Sequence, residues 1–286
     1  MTGWQAIETS DQKGEFEIAV LPGKGRLLVT ASQGDFILHE IGSNEISRGR
    51  AGGERNYAHA IQRLDLEAGA APVELTVELK HGASIAGRIA TRAGGPVRQA
   101  LMITRLNAHP SSLTWRFPLE TTGGRFELSG LAQGREYPVH FLDAKNRLGA
   151  TVIVTSTDTQ PAVVLIPCGE AVARFVDQKG RPIAGFSAPF EIVVTPGPQR
   201  FGAAAMKSDE LAADAGYVAN IDRTNYRNGA VSDKEGRVTF PALIPGAQYR
   251  EYDFQQGRAI VLKDFVAESG QTLDLGELTF PNKNKE

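Results

Sequence analysis

Cysteine is almost absent from this sequence, and that scarcity excludes two common supports of a fold. Cys168 is the only cysteine among 286 residues. A disulfide cannot form within the chain, and a structural zinc site built from several thiolates is excluded. The histidines show no pair at the short spacing of metal ligands; they are His39, His59, His81, His109 and His140. We therefore expect neither a metal nor a cofactor.

Net charge and long hydrophobic runs are also lacking. The formal net charge is −2, with basic and acidic residues interspersed, so the chain has no basic stripe for nucleic acid or anionic lipid. No apolar run approaches the length needed to cross a membrane. Residues 1–7 lack the basic and apolar regions of a signal peptide. We expect no nucleic-acid partner, no membrane insertion by this chain and no export signal in it.

Catalytic motifs are missing as well. A hydrolase elbow of the form Gly-x-Ser-x-Gly does not occur, and no serine, histidine and acid stand in a recognisable arrangement. Cys168 lies between Pro167 and Gly169 with nothing nearby to lower its thiol pKa, so burial is expected rather than reactivity. His140 alternates with apolar neighbours and is expected to be an ordinary strand residue. The sequence thus predicts a protein without enzymatic activity.

What the sequence does contain is an internal repeat. Residues 124–137 recur as residues 236–249, with Gly, Arg, Leu, Gly and Tyr at identical offsets, and a worn copy occupies residues 14–23. Each copy opens on a glycine that suits a turn and continues with apolar residues at alternate positions, which predicts a strand with one buried face. Tyr137 and Tyr249 then stand where the hydroxyl of a corner tyrosine bonds to backbone.

A second repeat gives the unit boundaries. Residues 79–86 match residues 166–173, each with glycine at its fourth position. Closing strands are predicted at Val73–Leu79, Ala162–Ile166 and Leu273–Phe280. We infer a truncated unit at residues 1–80, a complete unit at 81–167, and a third at 168–286 with an insertion at 196–232. The first unit lacks its opening half. Units with almost no linker between them should form a stiff array.

The two repeat signatures together resemble the carboxypeptidase regulatory-like family, also described as transthyretin-like or Cna-B-like. The match rests on Gly87-Arg88-Ile89, Gly95-Pro96-Val97 and the motif at residues 124–137, with counterparts at residues 175–183 and 236–249. The resemblance implies an all-β protein of tandem antiparallel β-sandwich units. Independently of the resemblance, a short helix is predicted within the insertion, at residues 203–215. The resemblance also implies an exported parent protein, in the periplasm or at the cell surface of a bacterium. It carries no catalytic residues over to this chain.

The insertion at residues 196–232 is the segment best suited to binding, because loops on rigid scaffolds carry function and this loop far exceeds a strand connection. Its candidate contacts are of the types that anchor binding surfaces: Arg200, Phe201, Tyr217, Arg223, Tyr226 and Arg227. A loop that merely caps the end of the unit is the rival interpretation. Trp115 and Phe117 could form a platform for a sugar ring, although packing at the edge of the core is favoured.

We therefore predict a rigid spacer or protein-interaction region of a larger bacterial protein. One alternative is a carbohydrate-binding accessory module, which exposed coplanar aromatic rings would favour. Another is an enzyme with its site in the insertion, which a pocket pairing a histidine with a carboxylate would favour. The partner is expected to be an unknown protein or a polysaccharide.

Overall fold

The computed structural model describes residues 6–32, 34–49, 55–106, 118–187, 190–195, 222–224, 230–255 and 258–280. This part of the chain contains eighteen strands and one short helix, so the expected all-β fold is confirmed. Residues 6–81 are called the N-terminal region below. Residues 83–167 are called the first sandwich, and residues 169–279 the second sandwich.

The N-terminal region contains two separate two-stranded sheets. Its elements are β1 (Gly23–Val29), β2 (His39–Gly42), α1 (Ser43–Arg48), β3 (Arg55–Ala58) and β4 (Ala60–Leu66). Strand β1 pairs antiparallel with β4, and β2 with β3. The fading periodicity after residue 30 predicts a long irregular excursion, but the structure places a hairpin and a helical turn there. Strands of four residues are too short to show a reliable period.

Two predicted strands of this region are wrong. Residues 14–20 and Val73–Leu79 alternate apolar and polar residues, yet neither segment belongs to a sheet in the structure. Alternation reports which side chains share a face, but a strand also needs a neighbour that accepts and donates main-chain hydrogen bonds. Within the described residues, no backbone hydrogen bond joins residues 16–21 or 73–79 to another segment.

The first sandwich is a strongly folded seven-stranded sheet. Its strands are β5 (Ala83–Thr91), β6 (Gln99–Ile103), β7 (Leu119–Thr122), β8 (Arg125–Leu131), β9 (Tyr137–Asp143), β10 (Leu148–Val154) and β11 (Ala162–Pro167). The order is β7-β6-β9-β10-β11-β5-β8. Because β10 and β11 pair only at Leu148–Pro167 and Gly149–Ile166, two layers form, β7-β6-β9-β10 and β11-β5-β8. The core between them includes Phe126, Leu128 and Phe141.

The second sandwich has the same strand order in two separate sheets. Its strands are β12 (Gly169–Val176), β13 (Phe190–Thr195), β14 (Asp222–Thr224), β15 (Arg237–Leu243), β16 (Gln248–Gln255), β17 (Arg258–Val266) and β18 (Thr272–Thr279). The sheets are β14-β13-β16-β17 and β15-β12-β18. The opening strand runs parallel to the closing strand in both sandwiches, β5 with β11 and β12 with β18. Strand β14 lies inside the predicted insertion; the predicted helix at 203–215 lies outside the described residues.

The repeated motif forms the same corner in each sandwich. The hydroxyl of Tyr137 accepts a hydrogen bond from the Ala132 backbone N–H at 2.9 Å, and that of Tyr249 accepts one from Ile244 at 2.8 Å. Both rings are buried. The predicted corner tyrosines are therefore confirmed, and each one satisfies a donor that the core would otherwise leave unpaired.

The two sandwiches meet directly, with Cys168 alone between β11 and β12. A Cβ on Gly149 would lie 3.2 Å from Cδ of Pro245, closer than most Cβ contacts, so glycine at this position favours the close approach of β10 to the second sandwich. One buried cluster spans the junction: it contains Ile103 and Leu142 from the outer face of the first sandwich, Tyr57 from β3, and the core of the second sandwich. The three parts of the chain therefore share apolar contacts that exclude water.

Candidate interaction surface

The predicted binding residues lie almost entirely outside the described residues. Arg200, Phe201, Tyr217, Tyr226 and Arg227 lie outside the described residues, as do the two aromatic residues of the sugar-platform hypothesis, Trp115 and Phe117. Only the backbone of Arg223 is described: it lies in β14 and pairs with Val193 of β13. Binding by this loop surface stays a prediction.

A different surface emerges from the N-terminal region, at residues 16–21 and 73–79. These are called the two unpaired segments below. Phe16 is 39% exposed, whereas Phe126, at the same place in the motif, is 5% exposed. Leu21 is 62% exposed and its counterpart Leu243 is fully buried. On the second segment Val73 and Leu75 are also exposed. Apolar side chains exposed in a row along an unpaired strand mark a surface that other polypeptides can bind.

The turn that opens the first unpaired segment is fully formed. Oδ1 of Asp11 accepts hydrogen bonds from the backbone N–H groups of Lys13 and Glu15, at 2.8 and 2.9 Å. Asp233 does the same for Glu235 and Arg237, at 3.0 and 2.8 Å, just before β15. At Asp233, the hydrogen bond from the Arg237 backbone is the main cause that lowers the carboxyl pKa. The local structure that begins β15 thus also begins residues 16–21, where no strand follows.

A histidine and a carboxylate do pair in the N-terminal region, but not in the insertion. Nδ1 of His81 lies 3.0 Å from Oδ2 of Asp35 at the surface, and the Phe36 ring packs on His81 with 4.3 Å between centroids. The His59 ring also packs on Phe36, with 5.9 Å between centroids, and its Nδ1 accepts the Ala31 N–H. Burial is the main cause that lowers the His59 pKa. Nucleophilic catalysis also needs a hydroxyl or thiol bonded to the histidine, and the described residues place none at His81.

Glu251 is the buried polar residue that sequence reasoning missed. Its side chain on β16 is fully buried, and neither carboxyl oxygen has a hydrogen-bond partner within the described structure. Burial raises the pKa of this carboxyl to about 9, so the group is neutral at pH 7. A signal was present in the sequence: two residues after the corner tyrosine the first copy has Val139, buried in the core, and the second has Glu251.

His140 lies at the junction rather than at an exposed strand face. Its Nδ1 is 3.0 Å from Oγ1 of Thr151 on the neighbouring strand, and its side chain is buried. Burial lowers the His140 pKa to about 4, and an interaction with the backbone of Val194 in the second sandwich opposes this shift. Nε2 of His140 nevertheless has no hydrogen bond of ordinary geometry within the described structure. The neutral ring is therefore part of the contact between β9 and β13, which makes it a structural residue.

The described residues contain neither a cluster of metal ligands nor a membrane-spanning helix. Over the described ranges, no group of three or more His, Cys, Asp or Glu side chains is placed to hold a metal ion. The same ranges contain no helix with the length and apolar character of a membrane span. Cys168 is partly buried at the junction, 3.3 Å from the position a Cβ on Gly149 would take.

Comparison with known proteins gives only distant structural similarities. No family model and no curated protein sequence matches the chain. The shaft pilin SpaA from Lactobacillus rhamnosus GG is 11% identical, with a TM-score of 0.24, over 71% of this chain and 98% of the pilin. A streptococcal ancillary pilin is 12% identical, with a TM-score of 0.26, over 81% of this chain and 76% of its own. The Streptococcus pneumoniae pilus backbone RrgB is 11% identical, with a TM-score of 0.19, over 68% of this chain and 63% of its own. Similarities this loose carry no argument about function.

Proposed function

We propose that this chain is a stiff, non-enzymatic structural segment of a larger protein, built from tandem sandwich units with boundaries near residues 80 and 167. The observation that carries the proposal is the junction between the two sandwiches. One residue separates β11 from β12, and the hydroxyl of Ser269 donates to the Pro167 carbonyl at 2.9 Å across it. A segment that holds other parts of a protein at a fixed distance needs this kind of joint.

Packing on both sides of the connection supports stiffness. Gly149 of β10 lies against Pro245, and a Cβ on Gly246 would lie 3.3 Å from Cβ of Thr151. The Cys168 backbone N–H donates to the Arg147 carbonyl at 2.8 Å, which holds the connecting residue against the β9–β10 turn. Because glycines at these contacts allow the backbones to approach closely, bending at the connection would open a packed surface to water.

The N-terminal region adds a third contact to the same joint. Tyr57 of β3 is buried in the cluster that spans the junction. Arg105, which follows β6, forms an ion pair with Glu40 of β2 and stacks over the Tyr137 ring at 5.1 Å. These contacts tie the β2–β3 hairpin to the first sandwich, and they support a single rigid array in place of units on flexible tethers.

Cooperative unfolding tests the proposal. We expect calorimetry to show one transition for the two sandwiches, because the junction couples them. A Gly-Gly-Ser-Gly-Gly-Ser insertion after Pro167 should split this transition into two. The same insertion after Gly69, in an exposed turn of the N-terminal region, is the control and should leave a single transition. Two transitions in the unmodified chain would contradict a stiff joint.

The resemblance to carboxypeptidase regulatory-like domains, and the exported parent protein it implies, belong to this proposal. So does binding through the insertion by Arg200, Phe201, Tyr217, Arg223, Tyr226 and Arg227. A spacer requires no ligand, and it leaves the insertion free to contact a protein or a polysaccharide. The carbohydrate alternative depends on Trp115 and Phe117, which lie outside the described ranges.

A further inference from the structure

The antiparallel pair β1–β4 corresponds to the pair β9–β10 of the first sandwich and to the pair β16–β17 of the second. Gly23 pairs with Leu66 at one end of it, as Tyr137 pairs with Val154 in β9–β10 and Gln248 with Val266 in β16–β17. In each case the chain enters the pair from a segment called the leading segment and continues after the pair into a segment called the leaving segment. Both segments adjoin the same end of the pair. Residues 16–21 and 73–79 are therefore the counterparts of β8 and β11, and of β15 and β18.

In both sandwiches, the leading and leaving strands flank a third strand. Strand β5 lies between β8 and β11, and β12 lies between β15 and β18. The central strand runs antiparallel to the leading strand and parallel to the leaving strand. In the N-terminal region no described residue forms a main-chain hydrogen bond with either unpaired segment, and the two segments expose on average far more apolar surface than their counterparts.

We propose that the two unpaired segments form a slot that binds one β-strand supplied by a different protein. The strand would pair antiparallel with residues 16–21 and parallel with residues 73–79, as β5 and β12 do in their own sheets. It would satisfy the main-chain groups of both segments and bury Phe16, Ile18 and Leu21. This inference does not depend on the stiffness of the junction, so the two can fail separately.

The chain itself indicates which residues the incoming strand carries on its inner face. In the first sandwich Phe126 pairs with Gly87, and a Cβ on Gly87 would overlap the phenylalanine ring. In the second sandwich Val238 stands in the place of the phenylalanine, and this smaller side chain pairs with Ala173, which carries a Cβ. Because Phe16 stands at the motif position of Phe126, the strand needs glycine opposite it, with an apolar residue two positions earlier, as Ile85 precedes Gly87.

Charge indicates the outer face of the strand. The segments from residue 15 to 21 and from 73 to 79 hold four glutamates, Glu15, Glu17, Glu74 and Glu78, and no lysine or arginine. The central strands of the sandwiches carry arginine on the outer face: Arg88 is exposed in β5, and Arg174 of β12 forms an ion pair with Glu277 of β18 at 2.5 Å. The occupant is therefore an extended, basic peptide that alternates apolar and polar residues around a central glycine.

A peptide with the sequence of residues 82–92 is the direct probe, since it carries glycine, isoleucine and arginine at the required positions. In the full chain without peptide, we expect fast amide exchange in both unpaired segments. With peptide, exchange should slow in both segments together, by at least about tenfold. The peptide with Gly87→Val should not bind, because its side chain would meet the Phe16 ring. The protein variant Phe16→Ala should bind that peptide again.

A weak affinity of the free peptide can be overcome by fusing the peptide ahead of residue 1 through a flexible linker. The linker raises the effective concentration of the peptide to about the millimolar range. The fusion should slow exchange in both segments, and the Gly87→Val fusion should not. Slow exchange in the free monomer would overturn the proposal, because the slot would be closed already. A dimer with slow exchange would show that a second copy of this chain occupies the slot. Slowing in only one segment would show that the peptide pairs with one edge and does not fill the slot. Either result would also overturn the proposal.

Discussion

The buried carboxyl group of Glu251 makes the stability of the fold decrease as pH rises from 4.5 to about 9. Its pKa is raised from 4.5 to about 9 in the folded protein. Between these values the folded state holds a proton that the unfolded state has lost, so this group's contribution to stability falls as pH rises. The slope for one proton is at most about 1.4 kcal/mol per pH unit.

We expect Glu251→Gln to flatten this dependence and to raise the unfolding midpoint at pH 8 more than at pH 4.5. The amide keeps the shape of the side chain and does not ionise. Unfolding midpoints measured from pH 4.5 to pH 8.5 provide the check. Glu127→Gln, at an exposed position of β8, is the matched control and should leave the curve unchanged. Equal pH dependence in Glu251→Gln and the unmodified chain would show that the carboxyl group is hydrated.

The corner tyrosines give a second prediction at the scale of single residues. Tyr137→Phe and Tyr249→Phe each remove the acceptor of a buried backbone N–H, that of Ala132 or Ile244. An unpaired buried donor costs about 1 kcal/mol or more, so both midpoints in denaturant should fall. Amide exchange of Ala132 and Ile244 should quicken in the matching variant only. Unchanged midpoints in both variants would mean that water replaces the hydroxyl groups.

At the scale of elements, the sequence predicted strands well wherever a neighbour was present. The closing strands at Ala162–Ile166 and Leu273–Phe280 are confirmed as β11 and β18. The equally regular alternation at Val73–Leu79 forms no strand, because the central strand it would pair with is not supplied by the described chain. Periodicity encodes the buried face of a strand, whereas its partner is a property of the whole sheet.

The same limit applies to the candidate sites. Turn chemistry and corner tyrosines are local, so Asp11, Asp233, Tyr137 and Tyr249 could be interpreted from the sequence. Burial of Glu251 depends on layers packed from distant segments, and the sequence signals it only by placing glutamate where the first motif copy has Val139. The exposed slot at residues 16–21 and 73–79 could be predicted only in part, because alternation reports the buried face of a segment and does not report which strand covers it.

The insertion between β13 and β14 gives a prediction about an element. Because β14 pairs with β13, and Ser232 donates to the Ile183 carbonyl at 2.6 Å, the ends of the predicted insertion belong to the sandwich. Replacing only residues 197–220 by a short Gly-Ser turn should keep amide protection in β13 and β16. It should also abolish any signal that the full chain gives on a glycan array. A retained signal would place binding outside residues 197–220, with Arg223, Tyr226 and Arg227 as the remaining candidates of the insertion, and lost protection would make the loop structural.

At the scale of the whole molecule, the junction between the two sandwiches determines whether the chain is stiff. The junction buries His140, Ile103 and Leu142 on the outer face of the first sandwich, where an isolated sandwich would meet water. The low His140 pKa, about 4, fits this burial. Stability from its neutral ring is complete above pH 6.5 and is lost as pH falls towards 4. Acid should therefore loosen the joint before it unfolds either sandwich.

The distance distribution between two spin labels tests the central claim of a stiff array most directly. In a Cys168→Ser background, labels at Glu127 of β8 and Val266 of β17, both exposed, report across the junction. We predict a single narrow distribution at neutral pH, and a broad one after a Gly-Gly-Ser-Gly-Gly-Ser insertion behind Pro167. A broad distribution in the chain without the insertion would contradict the account, because the sandwiches would then move independently.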